Sequence, residues 1–132
     1  MEIFDSDGVK RAVQFSASEL QPGLSFFSED KDFIQVGAWR YPSGKELAKH
    51  SHNYLPRQIT HTQEFIFIVK GSLKASIFDS KKVLVTSLIL RQGDGLVLLS
   101  GGHGYEILSE DTVVIECKNG PYKGADKDRT RF

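Results

Sequence analysis

The sequence predicts an all-β domain of mostly antiparallel strands, and three observations predict it. Apolar positions alternate along most of the chain. β-Branched and aromatic residues gather into short runs of strand length, and Gly, Asp, Ser and Asn fall between those runs. Taken in order, residues 1–30 are the least regular. There Ser16-Ala17-Ser18-Glu19 has the form of a capping box and Pro22 halts any helix begun by it, which leaves room for one helical turn. Strands are then expected at Phe33–Arg40, Leu47–Asn53, Glu64–Val69, Leu73–Phe78, Val83–Leu90, Leu96–Leu99, Gly104–Leu108 and Thr112–Lys118. Asp79-Ser80-Lys81 supplies a hairpin turn after the fourth of these. Eight short strands at this spacing suggest a sandwich or a barrel. The tail Asn119–Phe132 is rich in Gly, Lys, Arg and Asp, yet it holds Pro121-Tyr122 and finishes on an aromatic, so it is expected to pack as a strap. The expected organisation is one domain over residues 1–132, with a cover segment 1–32, a barrel 33–118 and the strap 119–132.

A chain of 132 residues can bury a real core, so neither a disulfide nor a metal is needed merely to keep it folded. Its 17 Lys and Arg balance 17 Asp and Glu, and the cations are scattered among acids, which argues against a nucleic-acid partner. The single cysteine, Cys117, has no internal partner and shares strand parity with Val113 and Ile115, so it is expected to be a buried structural thiol in a reducing compartment. The opening Met1-Glu-Ile-Phe-Asp-Ser-Asp-Gly-Val-Lys-Arg11 is acidic and lacks the apolar core of a secretory signal. No apolar run approaches the roughly 20 residues that cross a bilayer. A cytoplasmic protein without a membrane partner is therefore expected.

Both faces of some strands are apolar. In Glu64–Lys70, Glu64, Ile66 and Ile68 share one face and Phe65, Phe67 and Val69 the other. A barrel with a wet outer surface would alternate polar and apolar residues there. The N-terminal segment or a second subunit must cover the outer face, and a homodimer is expected in addition to local cover.

Three of the four histidines fall where strands would make them converge. His50-Ser51-His52 places two imidazoles at i and i+2, on one side of a strand. Glu64 opens the next strong strand on the face assigned to the interior, where a carboxylate needs a partner. His103, in Ser100-Gly101-Gly102-His103-Gly104, precedes another alternating strand. Three imidazoles and a carboxylate form a mixed N/O set that suits one divalent transition metal (Mn, Fe, Co, Ni or Zn), with positions left for water or substrate. The same residues are also compatible with a solvated His-x-His hairpin and with an edge charge at Glu64.

At these residues the chain resembles the cupins. Gly44-Lys-Glu-Leu-Ala-Lys-His50-Ser-His52 matches the G-x5-H-x-H opening of the first cupin motif, and Glu64-Phe-Ile-Phe-Ile-Val-Lys-Gly71 matches its E-x6-G close. Gly93-Asp94-Gly95 running to His103 gives the second motif in outline. The resemblance spans roughly Phe33 to Lys118, and it implies an antiparallel double-stranded β-helix, the cupin jelly-roll barrel, with one metal on His50, His52, Glu64 and His103. There are departures. Eleven residues separate His52 from Glu64 where the motif has three or four, and the second motif lacks its Pro, is one residue short before the His and has Ile107 where Asn is common. The run Arg57 to Glu64, the Gly101-Gly102-His103-Gly104 segment and the ending with Pro121-Tyr122, Asp126 and Lys127 are similar to a subgroup of bacterial cupins of poorly defined role, some of them encoded with surface-polysaccharide functions.

The remaining candidates concern a ligand. Arg57 could clamp a carboxylate or phosphate with its planar fork. Tyr105 shares parity with His103 and should line the interior, its hydroxyl serving substrate or a water. His61 has parity opposite to Glu64 and is a reserve candidate. Trp39 reads as core. No phosphate-binding glycine loop and no nucleophile setting is present. Two functions stay open. One is a metal-dependent enzyme, a sugar or sugar-nucleotide isomerase or a dioxygenase, and the other is a binding module that holds a small, anionic or sugar-like molecule without turnover.

Overall fold

The computed structural model describes residues 1–132. Its strands are β1 Glu2–Phe4, β2 Lys10–Ser16, β3 Gly23–Phe26, β4 Gly37–Arg40, β5 Glu64–Lys70, β6 Ser72–Phe78, β7 Leu84–Arg91, β8 Asp94–Leu98, β9 Gly102–Ile107 and β10 Val113–Lys118. A 3-10 turn, Ala17–Glu19, and one helical turn, α1 at Ala125–Asp128, complete it. The strands form a five-stranded sheet in the order β1-β2-β8-β5-β10, a three-stranded sheet β7-β6-β9 and a ribbon β3-β4, all antiparallel. The architecture is all-β, as expected, and none of the three sheets closes on itself into a barrel.

Alternation decides where the core lies. On β5 the buried positions are Glu64, Ile66 and Ile68, and on β6 they are Leu73, Ala75 and Ile77. These rows meet in one cluster with Ile3, Ala12, Leu96 and Leu98 of the large sheet and Leu90 of the small one. The two sheets thus enclose the core between them, and each Ile or Leu fully buried there is worth about 2 kcal/mol of transfer free energy. A second cluster lies on the opposite face of the large sheet. Val13, Val97 and Leu99 meet Val36 there, joined by Phe15, Phe27, Ile34 and Phe65, and the Phe15 and Phe27 rings stack with centroids 3.7 Å apart. Phe27, Ile34 and Val36 thus give the outer face local cover that reaches Phe65, while Val69 at the other end of β5 stays exposed. Residues 1–32 are more than a cover, because β1 and β2 are members of the large sheet.

The β6–β7 turn forms at Asp79-Ser80-Lys81 as expected. The Asp79 carboxylate accepts the backbone N–H groups of Lys81 and Val83, both at 2.8 Å, and Lys82 takes a left-handed φ of 68°. The expected helical turn is the 3-10 turn. Its box is not closed, because Ser16 makes no side-chain cap and its hydroxyl lies 3.0 Å from that of Ser18.

Four expectations are corrected. Leu47–Asn53 is not a strand, since it has no ladder partner and residues 41–61 are all exposed. In Phe33–Arg40 only Gly37–Arg40 is extended in a sheet, because only those residues pair with β3. Trp39 is 63% exposed, because the β3–β4 ribbon presents it away from both clusters. Cys117 is exposed, because Val113, Ile115 and Cys117 occupy the uncovered face of the edge strand β10.

Candidate functional site

Glu64 starts β5, and its neighbours on either side in the ladder are Leu98 of β8 and Lys118 of β10. β9, from the facing sheet, brings His103 and Tyr105 to the same place by their i, i+2 spacing. The site is thus assembled across the gap between the two sheets. Tyr105 donates its hydroxyl to Glu64 Oε1 at 2.8 Å, Lys118 Nζ lies 3.1 Å from Oε2, and His103 Nε2 approaches Oε2 to 3.5 Å. Lys118 also reaches Glu116 Oε1 at 2.8 Å. The His103 and Tyr105 rings lie 5.3 Å apart.

Glu64 is buried, with 4% of its surface exposed. Burial alone would raise its pKa. The hydrogen bond of His103 and, in the acid range where the imidazole is protonated, its charge, then the Tyr105 hydroxyl and Lys118, overcome that and hold it down at about 2. The Tyr105 phenol is pushed upward, first by burial and then by the Glu64 charge and hydrogen bond. Burial works against the charge on Lys118, but hydrogen bonds to Glu116 and Glu64 prevail and raise its pKa. The cluster is therefore a buried carboxylate held ionised, with a phenol and an ammonium that both keep their protons.

The segment before Glu64 is fastened from three directions. Gln63 accepts the Ile34 N–H at 3.0 Å and donates to the Leu99 carbonyl at 3.2 Å, and its own N–H is received by Asn119 Oδ1. His61 Nε2 lies 3.1 Å from the same carbonyl of Leu99, and the ring stands edge-on to Phe33 at 4.9 Å. Strand parity does not exclude His61, because β5 starts only at Glu64 and the preceding residues are not extended in the sheet.

Glu64, His103, Tyr105, Lys118 and His61 all line one cleft of about 1350 Å³. Four of its 25 lining residues are hydrophobic, so a ligand seated there would meet mostly hydrogen-bonding and charged groups. The strap forms part of the wall. Thr62 donates its hydroxyl to Asp128, and the Phe132 ring stands perpendicular to that of Phe78 at 5.2 Å.

The other expected residues lie elsewhere. His50 and His52 stand beside each other, ring centroids 5.3 Å apart, on the exposed irregular segment, and neither lines the cleft. Arg57 is exposed and does not line it either. Nowhere do three His, Cys, Asp or Glu side chains converge as a metal would require. Of the four expected ligands, the structure unites Glu64 and His103, and the ammonium of Lys118 already occupies one carboxylate oxygen. So arranged, the four residues do not fit a metal ion.

Lys118, Lys82 and the strap residues Arg129 and Arg131 had no site role in the sequence reading, and Phe132 was expected only to help the strap pack. Lys118 had a usable signal, since it ends an expected strand, but its partner becomes known only with the strand order. No family model, curated protein or solved structure matches the chain.

Proposed function

We propose that the chain is a cupin-like protein that binds a small polar molecule, anionic or sugar-like, in this cleft and moves a proton on it at His103. One observation carries the reading: a buried, ionised Glu64 at the cleft wall, contacted from two sheets by His103, Tyr105 and Lys118. An imidazole beside a carboxylate can take a proton from substrate and be stabilised as imidazolium. Tyr105, whose hydroxyl is committed to Glu64, positions that carboxylate. Isomerisation next to a carbonyl is the reaction class that such a single base serves.

The test has two steps. A thermal-shift panel of aldoses, ketoses, hydroxy acids and their phosphates is run on the wild type and on Glu64→Gln, and the stabilising members are then incubated in D2O and followed by NMR. Stabilisation of the wild type but not of Glu64→Gln, with deuterium entering beside the carbonyl and lost in His103→Gln, supports the reading. Stabilisation without exchange reduces it to a binding module. No stabilising member, or an equal response in the variant, overturns it.

A second reading retains the metal. It rests on the 3.5 Å approach of His103 Nε2 to Glu64 Oε2, two donors of the expected set that already adjoin. It requires Lys118 to release Oε2 and His50 and His52 to enter the cleft. Elemental analysis of untagged protein tests it. Stoichiometric metal, lost in both His50→Ala and Glu64→Gln, supports it, and metal-free protein after loading overturns it.

A further inference from the structure

The charges lining the cleft do not cancel locally. Five carboxylates and six cationic side chains line it, and each carboxylate is already engaged. Glu64 and Glu116 share Lys118. Glu106 is paired with Lys74, Asp128 accepts the Thr62 hydroxyl, and Asp79 holds the N–H groups of its own turn. Among the cations, Arg11 is closed on Asp5 at 2.7 Å, while Lys74 and Lys118 are held by Glu106 and by the Glu64–Glu116 pair. Lys82, Arg129 and Arg131 are left with no carboxylate in salt-bridge contact.

All three line the same cleft. Arg129 and Arg131 are two residues apart on the strap, with Arg129 in an extended conformation. The next residue, Phe132, is clamped: its ring meets Phe78, and the Lys82 ammonium lies over it, 5.2 Å from the centroid. A bulkier residue than glycine at 102 would collide with that ring, so the backbone of β9 is shaped to receive it. Phe132 therefore anchors the end of the strap against Phe78 and under the Lys82 ammonium, and Arg129 and Arg131 line the same cleft. Arg129 also interacts with the Tyr122 hydroxyl, and the Asp128 and Glu116 carboxylates act on its charge from a distance without a salt-bridge contact.

We infer that Lys82, Arg129 and Arg131 form an oxyanion subsite of the cleft, taking a phosphoryl or carboxylate group of the ligand whose remaining part faces Glu64 and His103. This rests on the reading of the cleft as the ligand site. A guanidinium presents a planar fork that matches either oxyanion, and two such groups and an ammonium lining one cleft favour a group of more than one negative charge. The chain has no net charge, so attraction of an anion must come from a local excess of this kind. It also assigns the strap a task that Arg57, outside the cleft, does not perform.

Calorimetric titration of inorganic pyrophosphate and of citrate into the wild type, Arg129→Ala/Arg131→Ala, Lys82→Ala, Phe132→Ala and Arg57→Ala tests it. Saturable binding is expected for at least one anion, and the better of the two identifies the phosphoryl or carboxylate source. Each lost guanidinium should weaken binding roughly tenfold, and Phe132→Ala should weaken it while leaving all charges in place. Arg57→Ala, at an exposed arginine outside the cleft, should bind the anion as the wild type does. Unchanged binding in the double arginine variant, or none by the wild type, overturns the subsite even if the Glu64-dependent panel response stands. Anion binding that needs the arginines, with no Glu64-dependent response to the panel, instead overturns only the proton-transfer function at His103.

Discussion

Lys118 stands directly opposite Glu64 in the β10–β5 ladder, and its ammonium is shared between Glu64 at 3.1 Å and Glu116 at 2.8 Å. The sharing makes the two members of the pair unequal. In Glu64→Gln the ammonium keeps Glu116 and 24% of its side chain stays exposed, so no charge is stranded. In Lys118→Met the carboxylate, almost fully buried, loses its ammonium partner and is left with His103 and Tyr105. We predict that Lys118→Met costs about 2 kcal/mol more than Glu64→Gln, as the loss of a partner to a buried charge does. Urea denaturation of both variants measures the difference, and equal midpoints would refute it.

The same carboxylate sets a pH dependence. Its folded pKa is about 2 against an ordinary 4.5, so the unfolded chain binds a proton that the folded one does not. The stabilisation it provides is complete above pH 4.5 and is lost as the pH falls toward 2. Glu29, drawn down by hydrogen bonds from Lys10 and Lys31, adds to the same acid limb from the surface. The comparison with Glu64→Gln isolates the site. The advantage of wild type over variant should shrink steadily as the pH falls through this window, which circular-dichroism melts at successive pH values would show.

Legibility in the sequence depends on whether a signal is local. Strands β5 to β10 were legible because Ile66, Ile68, Leu73, Ala75 and Ile77 alternate against polar or half-buried neighbours. Strand β2 was not, because it buries Arg11, whose charge is matched only by Asp5 across a turn and whose guanidinium also reaches Ser100, 89 residues away. Glu64, His103 and Tyr105 were found by parity, which is local. The packing of the strap was also expected, from its terminal aromatic, but the places of Lys118, Arg129 and Arg131 in the cleft were not, since they depend on strand order and tail path. The His50-Ser51-His52 pattern has the parity of a strand but no partner strand, and without a ladder parity aims nothing.

Burial separates two residues that composition places together. Leu96 is fully buried beside Ile66 in the β8–β5 ladder, and Trp39 is 63% exposed. Leu96→Ala should cost about 3 kcal/mol, the transfer free energy of the lost carbons plus a residual cavity. Trp39→Ala should stay within about 0.5 kcal/mol, as surface changes do. Chemical denaturation tests both. A large loss at Trp39 would mean that the β3–β4 ribbon packs more tightly than its exposure indicates.

The last prediction concerns two glycines flanking His103. Gly101 has a left-handed φ of 85°, and a Cβ there would collide with the Phe78 carbonyl oxygen, which belongs to backbone and cannot swing aside. Gly104 lies on β9 with an ordinary φ, and a Cβ there would meet nothing within 4 Å. Alanine at 101 should therefore cost about 2 kcal/mol or more from strain and displacement of the β6–β9 ladder. Alanine at 104 should be neutral or stabilising by a few tenths of a kcal/mol through the unfolded chain's lost freedom. Because His103 lies between them, Gly101→Ala should also weaken ligand binding, and Gly104→Ala should leave it intact. Melting temperatures and the thermal-shift panel read both effects. A Gly104→Ala protein as unstable as Gly101→Ala would show that this segment tolerates no side chain, whatever its backbone angle.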